Sequence, residues 1–366
     1  MKSGIALTQP YQKRLSQSVE YRYEITNYGA DNLYPQKVKS IVIGSPIAHS
    51  ATKAMSSFLR GDGWEHNGDM VVNDNGETLN FLLRQAALSH SFYNSFTVHV
   101  NVNSLGGITD MRVVPFDFTR FGLPNSSGKY KDVKISANWA GSQYTLARKI
   151  LTYTLWGNEP VKDSEEGFIF YVIPENNVYP LSVADSVLDS CQTDAEIQVF
   201  ELGGIQNGFL GTSIFRHPGK ITDPIERKAV IDMLRQLKGS TGANGIGYLE
   251  TPPNFDGPLI ENIPANNQDS LFEKTNKNVI SRVLTTYTMP PAIVGIQPES
   301  GMFNQQQLED SYVYYNLMTK DRRNILAEQF NYILSFWHTG AIDVGEIIEN
   351  TFTIDGKATD HDSETE

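Results

Sequence analysis

The chain has 366 residues, 40% of them hydrophobic and 20% charged, which suits a soluble globular protein of two or three domains and excludes a peptide or a disulfide-stapled miniprotein. Its net charge of −12 argues against a tight, sequence-independent DNA binder, because such proteins present a basic patch to phosphates. The single cysteine, Cys191, excludes an intramolecular disulfide and any multi-thiolate metal site.

No apolar run approaches the roughly 18 residues needed to span a bilayer. The opening "MKSGIALTQPYQKRLSQ" lacks the apolar core of a signal peptide, so the reading places the chain in a cytoplasm with no membrane partner. Charge is unevenly spread. Residues 1–60 carry eight Lys/Arg against three Asp/Glu, whereas residues 341–366 carry one Lys against eight acids. The end "DGKATDHDSETE" reads as a solvated acidic tail over 341–366.

In chain order, residues 1–180 read as one α+β domain. After the turn-rich "NYGADNLYPQ", the stretch "KVKSIVIGSPIAHSATKAMSSFLRGDGW" reads as helix and ends on glycines past a basic residue. In "ETLNFLLRQAALSHSFYNSF" the apolar residues Leu79, Leu82, Leu83, Ala86, Ala87 and His90/Phe92 recur at helical spacing. "TVHVNVNSLGGITDMRVVPFDFTRFGL" reads as two alternating strands around a Gly-Gly turn, and "YKDVKISANW", "ARKILTYTLW" and "GFIFYVIP" as further strands.

From Pro180 the pattern changes. Ser182 and Asp185 have the spacing of a capping box, and Val187, Leu188, Cys191, Ala195, Val199 and Leu202 share one face of a helix predicted to stop at Gly203-Gly204, over 181–205. Residues 206–262 read as a small α/β insertion: a strand in "GTSIFRHPG", a helix "DPIERKAVIDMLRQLKG" with Pro224 near its first turn, and a glycine-rich link. A second thin-striped helix over 263–288 places Phe272, Val279, Val283 and Tyr287 along one side. It is followed by a Gly/Pro/Ser-rich loop region over 289–303 and a long helix, Asn304 to His338, with apolar or aromatic residues at 308, 312, 315, 318, 326, 330, 333 and 337. At 1.5 Å per residue that helix reaches roughly 50 Å, a length better suited to a spoke in a large assembly than to the wall of a small enzyme.

Catalytic motifs are missing. "GLPNSSGKY" has five residues between its glycines and Tyr130 where a P-loop needs a hydroxyl for magnesium, so it reads as a surface turn. "GSTGANGIGY" follows a helix and precedes a strand, the wrong order for a dinucleotide fingerprint, and reads as a flexible connector. No H-E-x-x-H, G-x-S-x-G or paired-Cys motif occurs. Cys191 sits on the apolar side of its helix as a packed thiol. Tyr312 and Tyr315 fall on the apolar face of the long helix and read as core or intersubunit packing rather than base-stacking groups. No cofactor, metal or catalytic residue is expected.

The ordered set of segments resembles the HK97-like portal proteins of tailed bacteriophages. It comprises "DNLYPQ", "SFYNSFTVHVN" before a hairpin ending "VVPFDFTR", "NVYPLSVADS" opening a helix that closes on "FELGGIQNG", then "GTSIFRHPG", "MPPAIVGI" and "NQQQLEDSYVYYNLMTKDRRNILAEQFNYIL". Together they cover about residues 30 to 336, and each alone is degenerate. The resemblance implies a noncatalytic ring of usually twelve subunits around a DNA channel. Residues 1–180 would form an α/β wing, 181–205 and 263–288 two stem helices, 206–262 a clip, and 304–340 a long wing helix. Ile296, Gln297, Pro298, Glu299, Ser300, Gly301, Met302 and Phe303 would be a tunnel loop projecting into the channel, with Pro290 and Pro291 ending the second stem helix. Lys274, Lys277 and Arg282 are candidate lumen cations, against the plainer reading of solvated or intersubunit charges. Implied partners are identical subunits, a terminase large subunit, a head-tail adaptor, major capsid or scaffolding protein, and double-stranded DNA bound non-specifically in the virion, with assembly in the bacterial cytoplasm. Rival readings are a head-tail connector ring without a packaging role, and a phage-encoded metal-dependent nuclease or hydrolase.

Overall fold

A computed structural model describes residues 18–21, 23–140, 150–172, 178–207, 213–218, 221–237, 246–252, 260–262, 269–296 and 305–351. The chain divides into two compact units, residues 1–191 with 281–366, and residues 192–280.

The first unit opens with a short antiparallel ribbon, β1 (Val19–Glu20) and β2 (Ile25–Thr26). The stretch read as one helix is two, α1 (Tyr34–Gly44) and α2 (Pro46–Arg60). The cause is Pro46. It has no amide to continue the first helix and it pushes Ser45 out of the helical region, to φ −99° and ψ 113°. Ser45 then caps α2, its Oγ accepting from the Ala48 amide at 3.3 Å.

After β3 (Gly63–Trp64) comes α3 (Leu79–Tyr93), which follows its periodicity closely. Thr78 Oγ1 accepts from the Phe81 amide at 3.3 Å, and Asn94 closes the other end at φ +56°. Leu79, Leu82, Leu83, Ala86 and Ala87 are fully buried.

Strands β4 (Phe96–Val102), β5 (Ile108–Val114), β6 (Thr119–Phe121), β7 (Asp132–Ile135), β8 (Leu151–Leu155) and β9 (Phe168–Val172) form one sheet in the order β5-β4-β9-β8-β7-β6. All neighbours are antiparallel except β8 and β9. Helix α3 packs against β4 and β5, so Val98, Val100 and Met111 are sealed between helix and sheet. The "GLPNSSGKY" segment is a turn between β6 and β7, in which Asn125 Oδ1 accepts from the Ser127 and Lys129 amides, both at 2.9 Å.

Helix α4 (Leu188–Asn207) starts later than the capping-box spacing predicts and runs through Gly203-Gly204 rather than stopping there. Ser182 is committed elsewhere: its Oγ donates to the Phe92 carbonyl at 2.6 Å and accepts from the Ala184 amide at 3.1 Å. Of the predicted stripe, Val187, Leu188 and Cys191 are buried, but Val199 and Leu202 are 65% and 54% exposed.

In the second unit, β10 (Ser213–Pro218) lies between β11 (Ile246–Thr251), parallel to it, and β12 (Ile260–Asn262), antiparallel. Parallel neighbours need a crossover, which α5 (Pro224–Leu237) supplies. Arg227 of α5 pairs with Glu250 of β11 at 3.0 Å. Most of the "GSTGANGIGY" connector lies outside the described residues.

Helix α6 (Asp269–Thr286) leads back to the first unit, where α7 (Gln305–Leu334) packs against α2. Phe330 of α7 stacks on Phe96 with ring centroids 5.7 Å apart and tilts against Trp64 at 5.2 Å. Beyond α7 the predicted acidic tail is docked for its first part. β13 (Ile347–Ile348) pairs antiparallel with β3, and Val344 and Ile347 are buried. The close approach requires glycine at residue 61, where φ is +56° and a Cβ would lie 1.8 Å from the Ile348 carbonyl oxygen. Buried Arg323 completes the attachment by donating to the Thr319 hydroxyl at 2.8 Å, the Asn316 carbonyl at 2.9 Å and the Glu349 carboxylate at 2.6 Å. The remainder of the tail, 352–366, lies outside the described residues.

Candidate functional site: the helix break before residue 297

The end of α6 is set by hydrogen bonding rather than by proline. Thr288 adopts φ +51°, its amide donates to the Thr285 carbonyl at 3.1 Å, and the Met289 amide reaches back to Leu284 at 2.9 Å. This pair of bonds is a Schellman motif with Thr288 as its left-handed residue. Leu284 and Met289, the positions whose apolar contact normally accompanies the motif, are both buried. Pro290 and Pro291 are expected from the sequence to end this helix, but it has already ended at Thr286, before either proline. They fix the exit instead. Pro290 is extended at φ −60° and ψ 136°, and Pro291–Val294 forms a 3-10 turn closed by Gly295 at φ +78°.

A β-branched residue in the left-handed region is strained, at about 1–2 kcal/mol for an L-residue. Thr288→Gly is expected to relieve that strain, partly offset by glycine's extra backbone entropy, for a net gain of about 1 kcal/mol. A thermal melt that moves up by a few degrees would bear this out; an unchanged or lower midpoint would show that Thr288 stores no strain.

The last turn of α6 is anchored by Tyr287, whose hydroxyl shares a 2.8 Å hydrogen bond with Thr52 Oγ1 of α2. Burial raises the Tyr287 pKa, so this phenol stays protonated. Val283 and Cys191 are fully buried, the latter as a free thiol.

The start of α4 is rooted in a buried cluster where the degenerate sequence segments meet. Arg120, at the end of "VVPFDFTR", is completely buried, and all five of its N–H groups find acceptors. Nε donates to Asn32 Oδ1 at 2.6 Å, Nη1 to the Asp117 and Thr119 carbonyls at 3.1 and 2.7 Å, and Nη2 to the Asn32 carbonyl at 2.7 Å and Gln36 Oε1 at 3.1 Å. Asn32 and Gln36 come from "DNLYPQ". The guanidinium also lies 5.6 Å from the Tyr28 ring centroid and 5.1 Å from that of Trp139.

"NVYPLSVADS" joins the same cluster. Tyr179 stacks on Tyr28 at 4.1 Å, donates to the Thr26 carbonyl at 2.7 Å and accepts from the Phe121 amide at 2.8 Å. Tyr34 donates to Asp185 Oδ1 at 2.7 Å and accepts from the Ser182 amide at 3.0 Å. Burial raises the Tyr28 and Tyr179 pKa values, keeping both phenols as donors.

Of the predicted tunnel-loop residues only Ile296 is described, its amide bonded to the Pro291 carbonyl at 3.1 Å; Gln297 through Phe303 lie outside the described residues. Lys274, Lys277 and Arg282 are exposed on α6, and Lys277 pairs with Glu273 at 3.3 Å. On α7, Tyr315 is fully buried and both Tyr312 and Tyr315 meet the Phe58 ring, at 5.1 and 4.8 Å, as packing residues. Sequence reasoning missed Arg120, Thr288 and Arg323. For Arg120 a signal existed: a lone arginine inside the apolar strand pattern "FTRF" must carry its own acceptors into the core.

Among the described residues, no group of three or more His, Cys, Asp or Glu side chains is placed to hold a metal ion, and no helix is long and apolar enough to cross a membrane. No protein-family profile matches the chain, and no curated protein matches it. Solved structures do. A chain in the virion of a native gene transfer agent particle is 12% identical with a TM-score of 0.56, over 85% of this chain and 82% of that one. A chain in the neck of a native gene transfer agent particle computed with C12 symmetry is 12% identical with a TM-score of 0.54, over 84% and 82%. A match at 11% identity and TM-score 0.45, over 80% and 90%, is to an HK97 family phage portal protein from Corynebacterium diphtheriae and carries no further weight. The resemblance read from the sequence is borne out as a likeness of fold: over most of its length this chain has the fold of a chain from the neck of a gene transfer agent particle.

Proposed function

We propose that this chain is the subunit of a portal ring, a noncatalytic channel at one capsid vertex through which DNA is packaged and ejected. The observation that carries the reading is the likeness over 85% of the chain to a chain in a virion particle. The C12 symmetry of the similar neck structure supports twelve subunits. Uncovered apolar residues on the two long helices support an assembly as well. Val199, Phe200 and Leu202 on α4, and Val313, Tyr314, Leu317 and Met318 on α7, are each at least 40% exposed in the single chain. Such patches are what neighbouring copies cover.

In this reading α4 and α6 are the stem helices, β10 to β12 with α5 are the clip, residues 1–180 and α7 form the wing, and Ile296 to Phe303 is the tunnel loop. The Schellman turn at Thr288 and the two prolines then give the loop a fixed base. Lys274, Lys277 and Arg282 serve as lumen cations in an otherwise acidic protein, because a channel must let DNA slide rather than hold it. The partners are identical subunits, a terminase large subunit, a head-tail adaptor, capsid or scaffolding protein, and DNA without sequence preference.

Negative-stain electron microscopy with a solution mass tests the reading. Rings of about twelve subunits with a central hole are expected. A compact monomer or dimer at every concentration, with or without scaffolding protein, would count decisively against a portal ring.

A further inference from the structure

Leu105 is the most exposed large hydrophobic side chain described, 93% accessible at the tip of the β4–β5 hairpin. A single exposed leucine is ordinary, but this one is held rigidly. Asn103 Oδ1 accepts from the amides of Leu105 and Gly107, both at 2.9 Å, and the Gly106 amide donates to the Asn103 carbonyl at 2.9 Å. The base of the turn is tied to the end of α7: the Ile108 amide donates to the Phe336 carbonyl at 2.8 Å and the His338 amide to the Ile108 carbonyl at 3.0 Å. A Cβ on Gly107 would lie 2.9 Å from His338 Cα, so the hairpin and the segment just beyond α7 are in close contact there. The tip is therefore a fixed apolar knob.

At the other end of the same hairpin lies an open apolar recess. A cleft of about 210 Å³ is walled by Leu88, Phe92, Val113, Val114 and Phe116, with Gln85 also lining it. Lys39 and Asp117, paired at 2.9 Å, line the cleft too, so no free charge there opposes an apolar guest. Leu88 is 43% exposed, an apolar wall left open to solvent. The volume falls below the roughly 300–1,000 Å³ of ordinary small-molecule sites and suits one aliphatic side chain with its immediate backbone.

The knob cannot fill the recess of its own chain. Ile108 and Val114 are separated by the length of β5, about 20 Å at 3.4 Å per residue. A protrusion and a complementary recess displaced on one rigid body make a head-to-tail contact, which closes into a ring when the rotation allows. We infer that Leu105 of one copy seats in the Leu88, Phe92, Val114 and Phe116 cleft of the next copy. This rests on the ring reading above and adds to it the residues that link adjacent subunits.

Disulfide trapping in the full chain tests the inference. Leu105→Cys combined with Gln85→Cys is expected to give a ladder of covalent multimers on a non-reducing gel after mild oxidation, while neither single variant goes beyond a dimer. Cys191 is fully buried and should take no part. In parallel, Leu105→Asp should weaken each subunit–subunit contact by about tenfold or more, the scale expected when one buried leucine is lost; because the contact recurs at every interface of the ring, rings should be lost at a concentration where the wild type forms them, with the melting of the subunit unchanged. If wild-type rings are seen but the Leu105→Asp protein forms them equally well and no ladder appears, the contact is wrong while the ring stands. If the wild type forms no rings and no ladder appears, both fail.

Discussion

Replacing Arg120 by methionine is expected to destabilise the first unit by about 3–5 kcal/mol. The side chain is completely buried and satisfies Asn32, Gln36 and three backbone carbonyls at once. Methionine fills similar volume but donates nothing, so several buried acceptors lose their partners, each at about 1–3 kcal/mol before relaxation. Lysine should do little better, because one ammonium cannot reproduce a five-donor planar fork. The urea midpoint of the first unit's unfolding transition measures this. A loss below about 1 kcal/mol would mean that water or rearranged side chains replace the guanidinium, and that the cluster joining the three sequence segments is not what holds them.

The second large effect is on pH dependence and comes from His90. This side chain is almost wholly buried in α3, and its Nδ1 has no hydrogen-bond partner in the described structure. Burial, reinforced by the nearby Arg322 guanidinium, lowers its pKa from 6.5 to about 4. The unfolded chain therefore binds a proton at this site between about pH 6.5 and 4 while the folded chain does not, so stability falls as pH drops through that window. A shift of this size corresponds to about 3 kcal/mol. His90→Leu removes the titration and fills the site with an apolar group of similar shape, so it should be at least as stable as wild type near pH 7.5. Near pH 4 it should be more stable by about 3 kcal/mol. Denaturation midpoints at the two pH values decide it: an equal pH slope in both proteins would show that His90 is accommodated when charged.

The elements that could be read from residue order share one physical property: local periodicity fixes them. Helix α3 follows from its apolar spacing and caps, and the β4–β5 hairpin from alternation around Gly106-Gly107. In the second unit the strand in "GTSIFRHPG" and the Pro-started helix α5 are legible, whereas β11 occupies Ile246–Thr251 within the stretch read as a glycine-rich link. The legible elements bury a face that the sequence marks one residue at a time. The break inside the first predicted helix was also written there, in Ser45-Pro46, but was overridden by the continuing apolar pattern on both sides.

Other features depended on partners far along the chain. Nothing in "TTYTMPP" says that Thr288 takes the left-handed position, because that choice depends on Leu284 and Met289 both being buried. The acidic character of 341–366 hid β13, since two residues pair with β3 nearly 300 positions earlier and a short strand has no periodicity to detect. Arg323 looks like a surface residue in the sequence, and Arg120 is marked only by its apolar neighbours in "FTRF"; both are core residues because the folded chain brings them acceptors. By itself, then, the sequence determined the longer helices and strands whose apolar pattern is local, and their order along the chain, but not the short strands β1, β2, β3 and β13 or the split of the first helix. The tertiary structure alone decided which polar groups could be buried, because a buried donor is stable only where the fold supplies its acceptor, and local sequence does not encode that distance.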